Sequence, residues 1–230
     1  LNFEDRNSVK SFFKKNKVDT VYIAAAMVGG IKANYTYPGQ FIKSNVDITL
    51  NLIHESYEAG IKKIIYLGSS CIYPKETKQP ISEDALLGGF LEPTNEAYAI
   101  AKIFGIKMCE AYHKEYNLDC RAIMPCNLFG INDNYHPQNS HVIPGLINKF
   151  HIAKIKNHKK VNVWGTGNPR REFLFSDDLA LACLHIMRLS KNEFTNLVGP
   201  KKRHINVGYG SDISIRNLAC KIAKITNFKG

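Results

Sequence analysis

Tyr98 and Lys102 are the first pair in the chain whose types and spacing could do chemistry. They lie four residues apart in a helix-like segment, and positions i and i+4 are neighbours on one face of a helix. A phenol with a pKa near about 10 becomes a better proton donor and acceptor when an ammonium lies nearby, because the positive charge lowers that pKa. A chain of this composition contains about one such pair by chance, so the pair alone is a weak signal.

Two serines strengthen the interpretation of Tyr98 and Lys102 as a catalytic pair. Ser69 and Ser70 follow an apolar run, residues 61–68, that reads as a buried strand, and the segment with Tyr98 comes after the next connection. In a parallel sheet, side chains that follow the strands face the ligand-binding crevice. The order Ser, Tyr, Lys therefore favours a catalytic set, although a Ser at this place can also be an ordinary helix cap or turn residue.

Buried strand patterns alternate with amphipathic helix patterns along the chain, which predicts an α/β fold with a doubly wound, Rossmann-like parallel sheet. A smaller and incomplete substrate-binding region is expected beside it. The predicted strands are residues 18–26, 61–68, 119–125, 161–164, 172–175 and 204–207, and the predicted helices are residues 45–59, 96–116, 142–155, 177–189 and 215–225.

A glycine-rich turn that would receive a dinucleotide pyrophosphate is not found in the sequence. Gly29 and Gly30 are the nearest candidates, but a third glycine is missing and an ordinary loop is the better interpretation. The chain also starts without Met, in what reads as the interior of a fold. We therefore expect a fragment that lacks an N-terminal glycine-rich βα unit and the C-terminal end, and that binds a dinucleotide weakly by itself.

Composition excludes several classes of protein. With 230 residues, 44% of them hydrophobic, the chain can bury a core, and neither disorder nor a low-complexity scaffold is expected. The longest apolar stretch is too short to span a membrane, and no signal peptide is recognisable. Six cysteines without a close Cys-x-x-Cys pair indicate reduced thiols and a cytoplasmic protein. The net charge of +11 comes from dispersed lysines, which suits phosphate-bearing small molecules and requires no nucleic acid.

Five longer strings narrow the family. Together they resemble the GDP-L-fucose synthase family of extended short-chain dehydrogenases/reductases, and the resemblance extends along nearly the whole chain. The strings are Ala25-Ala-Met-Val-Gly-Gly-Ile31, Gly68-Ser-Ser-Cys-Ile-Tyr-Pro74, Glu92-Pro-Thr-Asn-Glu-Ala-Tyr-Ala-Ile-Ala-Lys102, Asn139-Ser-His-Val-Ile-Pro144 and Val163-Trp-Gly-Thr-Gly-Asn-Pro-Arg-Arg-Glu-Phe173.

The resemblance implies that a GDP-4-keto-6-deoxy sugar is epimerised at C3 and C5 and then reduced at C4 with NADP(H). It also implies that Ser69 and Tyr98 donate hydrogen bonds to the C4 oxygen. Lys102 would adjust the pKa of Tyr98 and hold the nicotinamide ribose. Cys71 and His141 match the base and acid of epimerisation, and nearby positive charge would favour the thiolate of Cys71. Without the surrounding strings, a buried Cys and a surface His would be the more ordinary interpretations.

Further contacts are implied by the same resemblance. The implied cofactor-binding residues are Leu67, Gly68, Ser69, Ser70, Lys102, Pro125, Cys126, Asn127, Leu128 and His141. The implied contacts to the GDP-sugar are Lys149, Trp164 and Arg171, although Lys149 could be a solvated helix residue and Trp164 a core residue. Residues 1–127, joined by parts of 171–209, would form the truncated NADP-binding domain, and 128–170 with the C-terminal remainder the substrate region. A homodimer through the two long helices 45–59 and 96–116 is also implied.

Two other functions remain open from the sequence. A related 4,6-dehydratase or 4-epimerase would share the Tyr-Lys pair but would need a carboxylate beside it and a retained cofactor. An inactive nucleotide-sugar-binding fragment would need neither.

Overall fold

The computed structural model describes residues 1–137 and 139–230, apart from the side chain at position 32. The helices in these residues are α1 Arg6–Lys15, α2 Ile31–Thr36, α3 Pro38–Glu58, α4 Glu96–Tyr116, α5 Val142–Ile155, α6 Ser176–Arg188, α7 Lys191–Val198 and α8 Ile215–Ile225. The strands are β1 Thr20–Ile23, β2 Lys63–Leu67, β3 Asp119–Pro125, β4 Asn127–Phe129, β5 Arg170–Phe175, β6 His204–Val207 and β7 Asp212–Ser214.

The chain divides into two compact units. The first, called the sheet unit here, contains Leu1–Pro125 and Ala180–Val207. The second, called the small unit, contains Cys126–Leu179 and Gly208–Gly230. The chain passes from one unit to the other after Pro125, after Leu179 and after Val207.

A four-stranded parallel sheet organises the sheet unit, in the order β1-β2-β3-β6. Ile64 and Ile65 of β2 are both fully buried, although neighbouring side chains of a strand point to opposite faces. Both faces of this strand are therefore covered, which is the usual arrangement of parallel sheets in α/β proteins. The predicted parallel α/β fold of the Rossmann type is confirmed.

Helix α4 carries the Tyr-Lys pair and has well-defined ends. Glu96 lies in its first turn, where a negative charge interacts favourably with the helix dipole. At the other end Asn117 adopts a left-handed conformation with φ of 58°, which stops the helix, and β3 begins two residues later. The helix therefore spans the predicted residues 96–116 without correction.

A buried charge cluster lies where β3 begins. The carboxylate of Asp119 accepts hydrogen bonds from Arg121 at 2.7 and 2.8 Å and from Arg203 at 2.9 Å. Arg121 also donates to the carbonyls of Ile186 and Leu189, near the end of α6. Two buried guanidinium groups thus share one carboxylate, and Arg121 also fastens the end of α6 to the sheet.

The small unit has a separate core. Strands β4 and β5 pair in parallel, and β5 pairs with β7 in antiparallel fashion. Helices α5 and α8 pack together through Leu146, Phe150, Leu218 and Ile222. This core positions the loop between α5 and β5, residues 156–169.

One predicted strand is wrong, and several elements were not predicted. Residues 161–164 form no strand with any part of the chain that the structure describes. Val161 and Val163 pack against the small-unit core while Trp164 is exposed, so the alternating pattern reflects burial of an extended segment rather than a sheet ladder. The elements not predicted are α1, α2, α7, β4 and β7.

Two other sequence-based expectations concern the whole chain. All six cysteines are free in the structure. Among the described residues, no helix is both long enough and apolar enough to cross a membrane.

Candidate functional site

The turn after β2 positions the hydroxyl and thiol groups of the sheet unit. Ser69 caps a short 3₁₀ turn, Ser70–Ile72, and its Oγ accepts a hydrogen bond from the Cys71 backbone N–H at 3.4 Å. The structural interpretation of Ser69 as a cap is therefore correct, and it fixes the serine directly beside Cys71. A cap role does not exclude chemistry, because the hydroxyl can still donate its proton.

Lys102 lies against the carboxyl end of β2. Its Nζ donates to the carbonyl oxygen of Leu67 at 2.8 Å and lies 5.6 Å from the ring centre of Tyr98. Only 4% of Lys102 is exposed. Burial lowers the pKa of Lys102 to about 8, while the electrostatic effect of Cys71 acts in the opposite direction.

Tyr98 is also largely buried, one turn before Lys102, and its ring packs edge-on against Phe41 of α3. The sequence predicts a lowered phenol pKa, but burial raises the pKa of Tyr98 well above its ordinary value, and Cys71 raises it further. The reason is that burial removes the hydration that the charged phenolate needs. Tyr98 is accordingly a neutral hydrogen-bond donor at physiological pH.

The expected stabilisation of a Cys71 thiolate is likewise outweighed by burial. Burial raises the pKa of the Cys71 thiol, whereas the Ser69 hydroxyl and the Lys102 ammonium lower it without compensating fully. At neutral pH the resting group is therefore the thiol. The sheet unit thus brings together four of the predicted catalytic residues, Ser69, Cys71, Tyr98 and Lys102.

The backbone beside these residues is packed closely. A side chain at Gly68 would overlap Met124 of β3, so only glycine fits there without rearrangement. The Gly68 N–H donates to the Ile123 carbonyl at 2.8 Å, which continues the pairing of β2 with β3 one residue past the strand. The adjoining predicted cofactor residues of the sheet unit, Leu67, Ser70 and Pro125, lie at or just after the ends of β2 and β3.

In the small unit, Lys149 of α5 and Trp164 form a direct contact. Lys149 Nζ lies 4.0 Å from the ring centre of Trp164 and 3.5 Å from the carbonyl oxygen of Asn162, to which it donates. Trp164 is 70% exposed, so the alternative of a core tryptophan is wrong. Lys149 is held by a ring rather than extended into solvent, and the two residues form an open cationic and aromatic surface.

The remaining predicted residues lie on other parts of the small unit. His141 is the residue before α5 and is exposed, and Arg171 lies in β5 opposite Ile213. Asn127 begins β4 and its side-chain N–H donates to the Glu172 carbonyl at 3.0 Å. Cys126 and Leu128 flank it, at the end where the chain enters this unit.

The sequence interpretation missed two residues that organise the sheet-unit site. Asn206 accepts a hydrogen bond from the Tyr73 hydroxyl at 2.5 Å and donates to the Ile81 carbonyl at 3.0 Å, so it holds the loop that follows Cys71. Its place at the end of β6 was a usable signal. Tyr66, whose ring lies beneath Lys102, gave no signal, because it reads as one more apolar residue of a buried strand.

Comparison with known proteins identifies the relatives. The model of the NAD dependent epimerase/dehydratase family matches residues 1–208. The chain is 52% identical to a GDP-L-fucose synthase of Escherichia coli K12 and 50% identical to GDP-L-fucose synthase 1 of Arabidopsis thaliana. Both matches cover all of the chain, and 72% and 68% of the relatives.

A solved structure agrees with these matches. The gdp-l-fucose synthetase of Naegleria fowleri bound to NADP has a TM-score of 0.87 to this chain at 30% sequence identity. The match covers the whole chain and 68% of the solved one. The resemblance to GDP-L-fucose synthases is thus confirmed, and the chain belongs to the NAD dependent epimerase/dehydratase family.

Proposed function

We propose that the protein is an NADP-dependent enzyme that converts GDP-4-keto-6-deoxy-D-mannose to GDP-L-fucose by epimerisation at C3 and C5 and reduction at C4. The observation that carries the proposal is the cluster of Ser69, Cys71, Tyr98 and Lys102 in the sheet unit. Relatives about half identical in sequence and named GDP-L-fucose synthase support the same activity.

One oxygen atom connects the two reactions. C3 and C5 both lie beside the C4 ketone, so the ketone oxygen gains negative charge when a proton leaves either carbon, and again when C4 is reduced. Hydroxyl donors aimed at this oxygen stabilise both stages. Ser69 and Tyr98 are the proposed donors, and the raised pKa of Tyr98 supports this role because the phenol keeps its proton until the alkoxide forms.

Epimerisation needs one group that removes a proton and one that returns a proton to the opposite face. Cys71 is the proposed base and His141 the proposed acid, and which of them acts at C3 and which at C5 is left open. The Ser69 hydroxyl and the Lys102 ammonium both favour the thiolate of Cys71, against the effect of burial. A base that is protonated at rest is compatible with catalysis when the thiolate forms only transiently.

The donor set at the carboxyl end of β2 fits a nicotinamide dinucleotide. The Lys102 ammonium has three N–H donors and the Leu67 carbonyl occupies one, which leaves donors for ribose hydroxyls. Bound NADPH supplies the hydride for C4. The residues proposed to hold it are Leu67, Gly68, Ser69, Ser70, Lys102, Pro125, Cys126, Asn127, Leu128 and His141, and the NADP-bound relative supports the choice of cofactor.

The small unit is the proposed binding region for the GDP-sugar. The exposed ring of Trp164 can stack on the guanine or the sugar, and Lys149 and Arg171 can pair with the diphosphate. Residues 1–127 with parts of 171–209 are the proposed NADP-binding domain, and residues 128–170 with the C-terminal remainder the substrate region. Neither a nucleic acid nor a membrane is part of the proposal, and the six free thiols favour the cytoplasm.

A homodimer is proposed through α3 and α4. Both helices present an exposed apolar residue, Leu50 on α3 and Ile100 on α4, which a second copy would cover. Light scattering on the purified protein would test this. A dimer that dissociates in Ile100→Glu supports the proposal, and a monomeric wild-type protein contradicts it.

The catalytic proposal is tested with the keto sugar and NADPH in D₂O. We expect oxidation of NADPH and solvent deuterium at C3 and C5 of the product. In ordinary water, the product should be two hydrogens heavier than the keto sugar. Tyr98→Phe should slow reduction by about 10²- to 10⁴-fold, because it removes the proton donor at C4. Cys71→Ser should abolish epimerised product while C4 reduction survives.

Two results would contradict the proposal. Loss of water from GDP-D-mannose, offered in place of the keto sugar and without net NADPH consumption, would identify a 4,6-dehydratase instead. Unchanged deuterium incorporation in Cys71→Ser would remove Cys71 from the base role and leave the reductase assignment standing.

A further inference from the structure

The ammonium of Lys102 lies over the face of a second aromatic ring, which belongs to Tyr66 of β2. The distance from Lys102 Nζ to the ring centre of Tyr66 is 5.0 Å, shorter than the 5.6 Å to Tyr98. Tyr66 is fully buried, and the next residue, Leu67, supplies the carbonyl that accepts the Lys102 hydrogen bond. Two consecutive residues of β2 therefore hold the ammonium, one by its backbone and one by its ring.

Helix α4 is shaped to allow this contact. A Cβ atom at Gly105 would overlap the ring and hydroxyl of Tyr66, so glycine is required for α4 to lie this close to β2. Gly105 and Lys102 are three residues apart and share one face of the helix. The close packing of α4 against β2 that Gly105 permits also brings Lys102 over the Tyr66 ring.

The charge on Lys102 has few other partners. Among the described residues no carboxylate forms an ion pair with it, and the titratable groups that face it are Tyr66 from β2, Cys71 from the following turn and Tyr98 from its own helix. Burial raises the pKa of all three, so each is predominantly neutral at physiological pH. The negative face of an aromatic ring attracts a cation most strongly where water is excluded.

From this geometry we propose that Tyr66 is a positioning residue, whose ring face keeps the charged Lys102 ammonium in place at the end of β2. Any influence of Tyr66 on C4 reduction rests on the proposed function of Lys102. The positioning of the Lys102 ammonium by Tyr66 does not depend on that function. The phenol hydroxyl is not needed for the role, whereas the ring face is.

The sharpest test lowers the electron density of the ring face while nearly keeping the shape of the ring. Tyr66 is replaced by phenylalanine, monofluorophenylalanine and trifluorophenylalanine, and the titration of Lys102 is followed by NMR of labelled lysine side chains, assigned with Lys102→Arg. Phenylalanine should leave the midpoint unchanged. Trifluorophenylalanine should lower it by about half a unit to one unit, because fluorine withdraws charge from the ring face.

Ile64→Ala is the matched control, since Ile64 lies in the same strand and is equally buried, whereas the ammonium is held by the Leu67 carbonyl and the rings of Tyr66 and Tyr98. It should reduce stability and leave the Lys102 midpoint unchanged. An identical midpoint throughout the fluorinated series, or an equal shift in Ile64→Ala, would overturn the proposal. If the shift occurs but wild-type protein fails to reduce the keto sugar, the positioning role stands and the proposed function fails.

Discussion

Both units of the protein place a lysine against an aromatic ring, but the two pairs differ in exposure to water. Lys102 over Tyr66 is almost completely buried, whereas Lys149 lies beside a tryptophan that is 70% exposed. Burial lowers the pKa of both lysines, and that of Lys102 falls to about 8. A lysine beside an aromatic ring is therefore a strongly perturbed group in the sheet unit and part of an open cationic and aromatic surface in the small unit.

The difference agrees with the proposed roles of the units, proton transfer in the sheet unit and ligand binding in the small unit. Proton transfer requires groups with defined geometry and shifted pKa values, and both follow from burial among fixed partners. Ligand binding requires surface that a ligand can still cover, and Trp164 retains such surface. We therefore expect substitutions in the sheet unit to alter stability and titration, and substitutions in the small unit to alter affinity.

The largest expected stability effect comes from the buried ion cluster of the sheet unit. Asp119→Ala should lower the free energy of unfolding by about 3–5 kcal/mol, because it leaves the guanidinium groups of Arg121 and Arg203 buried without a carboxylate. Denaturant unfolding of the purified variant measures the loss.

The small unit offers the matched control for this substitution. Arg170 and Asp212 form an ion pair at 2.7 Å on its surface, where water can replace either partner. Asp212→Ala should therefore change stability within experimental error. Equal losses of unfolding free energy in Asp119→Ala and Asp212→Ala would show that burial does not distinguish the buried ion cluster from the surface ion pair.

The next effect concerns the pH dependence of stability. The pKa of Lys102 is about 8 in the folded protein against an ordinary 10.5, so between these values the unfolded chain binds more protons than the folded one. Stability attributable to Lys102 therefore rises with pH across this window, and the penalty below pH 8 is about 3 kcal/mol. Lys102→Met should remove both the penalty and the rise.

Unfolding experiments at several pH values on wild type and Lys102→Met measure the difference directly. The variant should be the more stable protein at pH 7, and the two curves should converge towards pH 10.5. Lys149→Met is the control and should run nearly parallel to wild type, because its ammonium is better hydrated. A pH-independent difference for Lys102→Met would contradict the burial of a charged amine.

Sequence patterns predicted the four strands of the parallel sheet and five of the eight helices that the structure describes, because the deciding signals are local. Helix α4 and strand β3 were predicted to the residue, since Asn117 and the apolar run after it mark the boundary clearly. Helix α7 was missed although its capping box, Ser190 with Glu193, was present in the sequence. The wrong strand at 161–164 shows that alternating burial does not require a neighbouring strand.

The candidate site was predictable in composition but not in electrostatics. Family strings brought out Ser69, Cys71, Tyr98 and Lys102, and the structure places these four together. The sequence predicted a lowered pKa for Tyr98 and made the Cys71 thiolate depend on nearby positive charge, but burial raises the pKa of both groups. Burial depends on residues distant in sequence, which no local pattern reports. Tyr66 escaped notice for the same reason, since its contact with Lys102 requires the close approach of α4.

The smallest expected effect tests the small unit. Trp164→Ala should weaken GDP binding by roughly tenfold, since stacking a base on an aromatic side chain contributes about 1–3 kcal/mol. Its melting temperature should stay unchanged, because the exposed ring contributes little to the core. Trp164→Tyr, which keeps a ring, should retain most of the affinity in calorimetric titrations. A stability loss with unchanged affinity would instead make Trp164 a structural residue and remove the contrast between the two lysine–aromatic pairs.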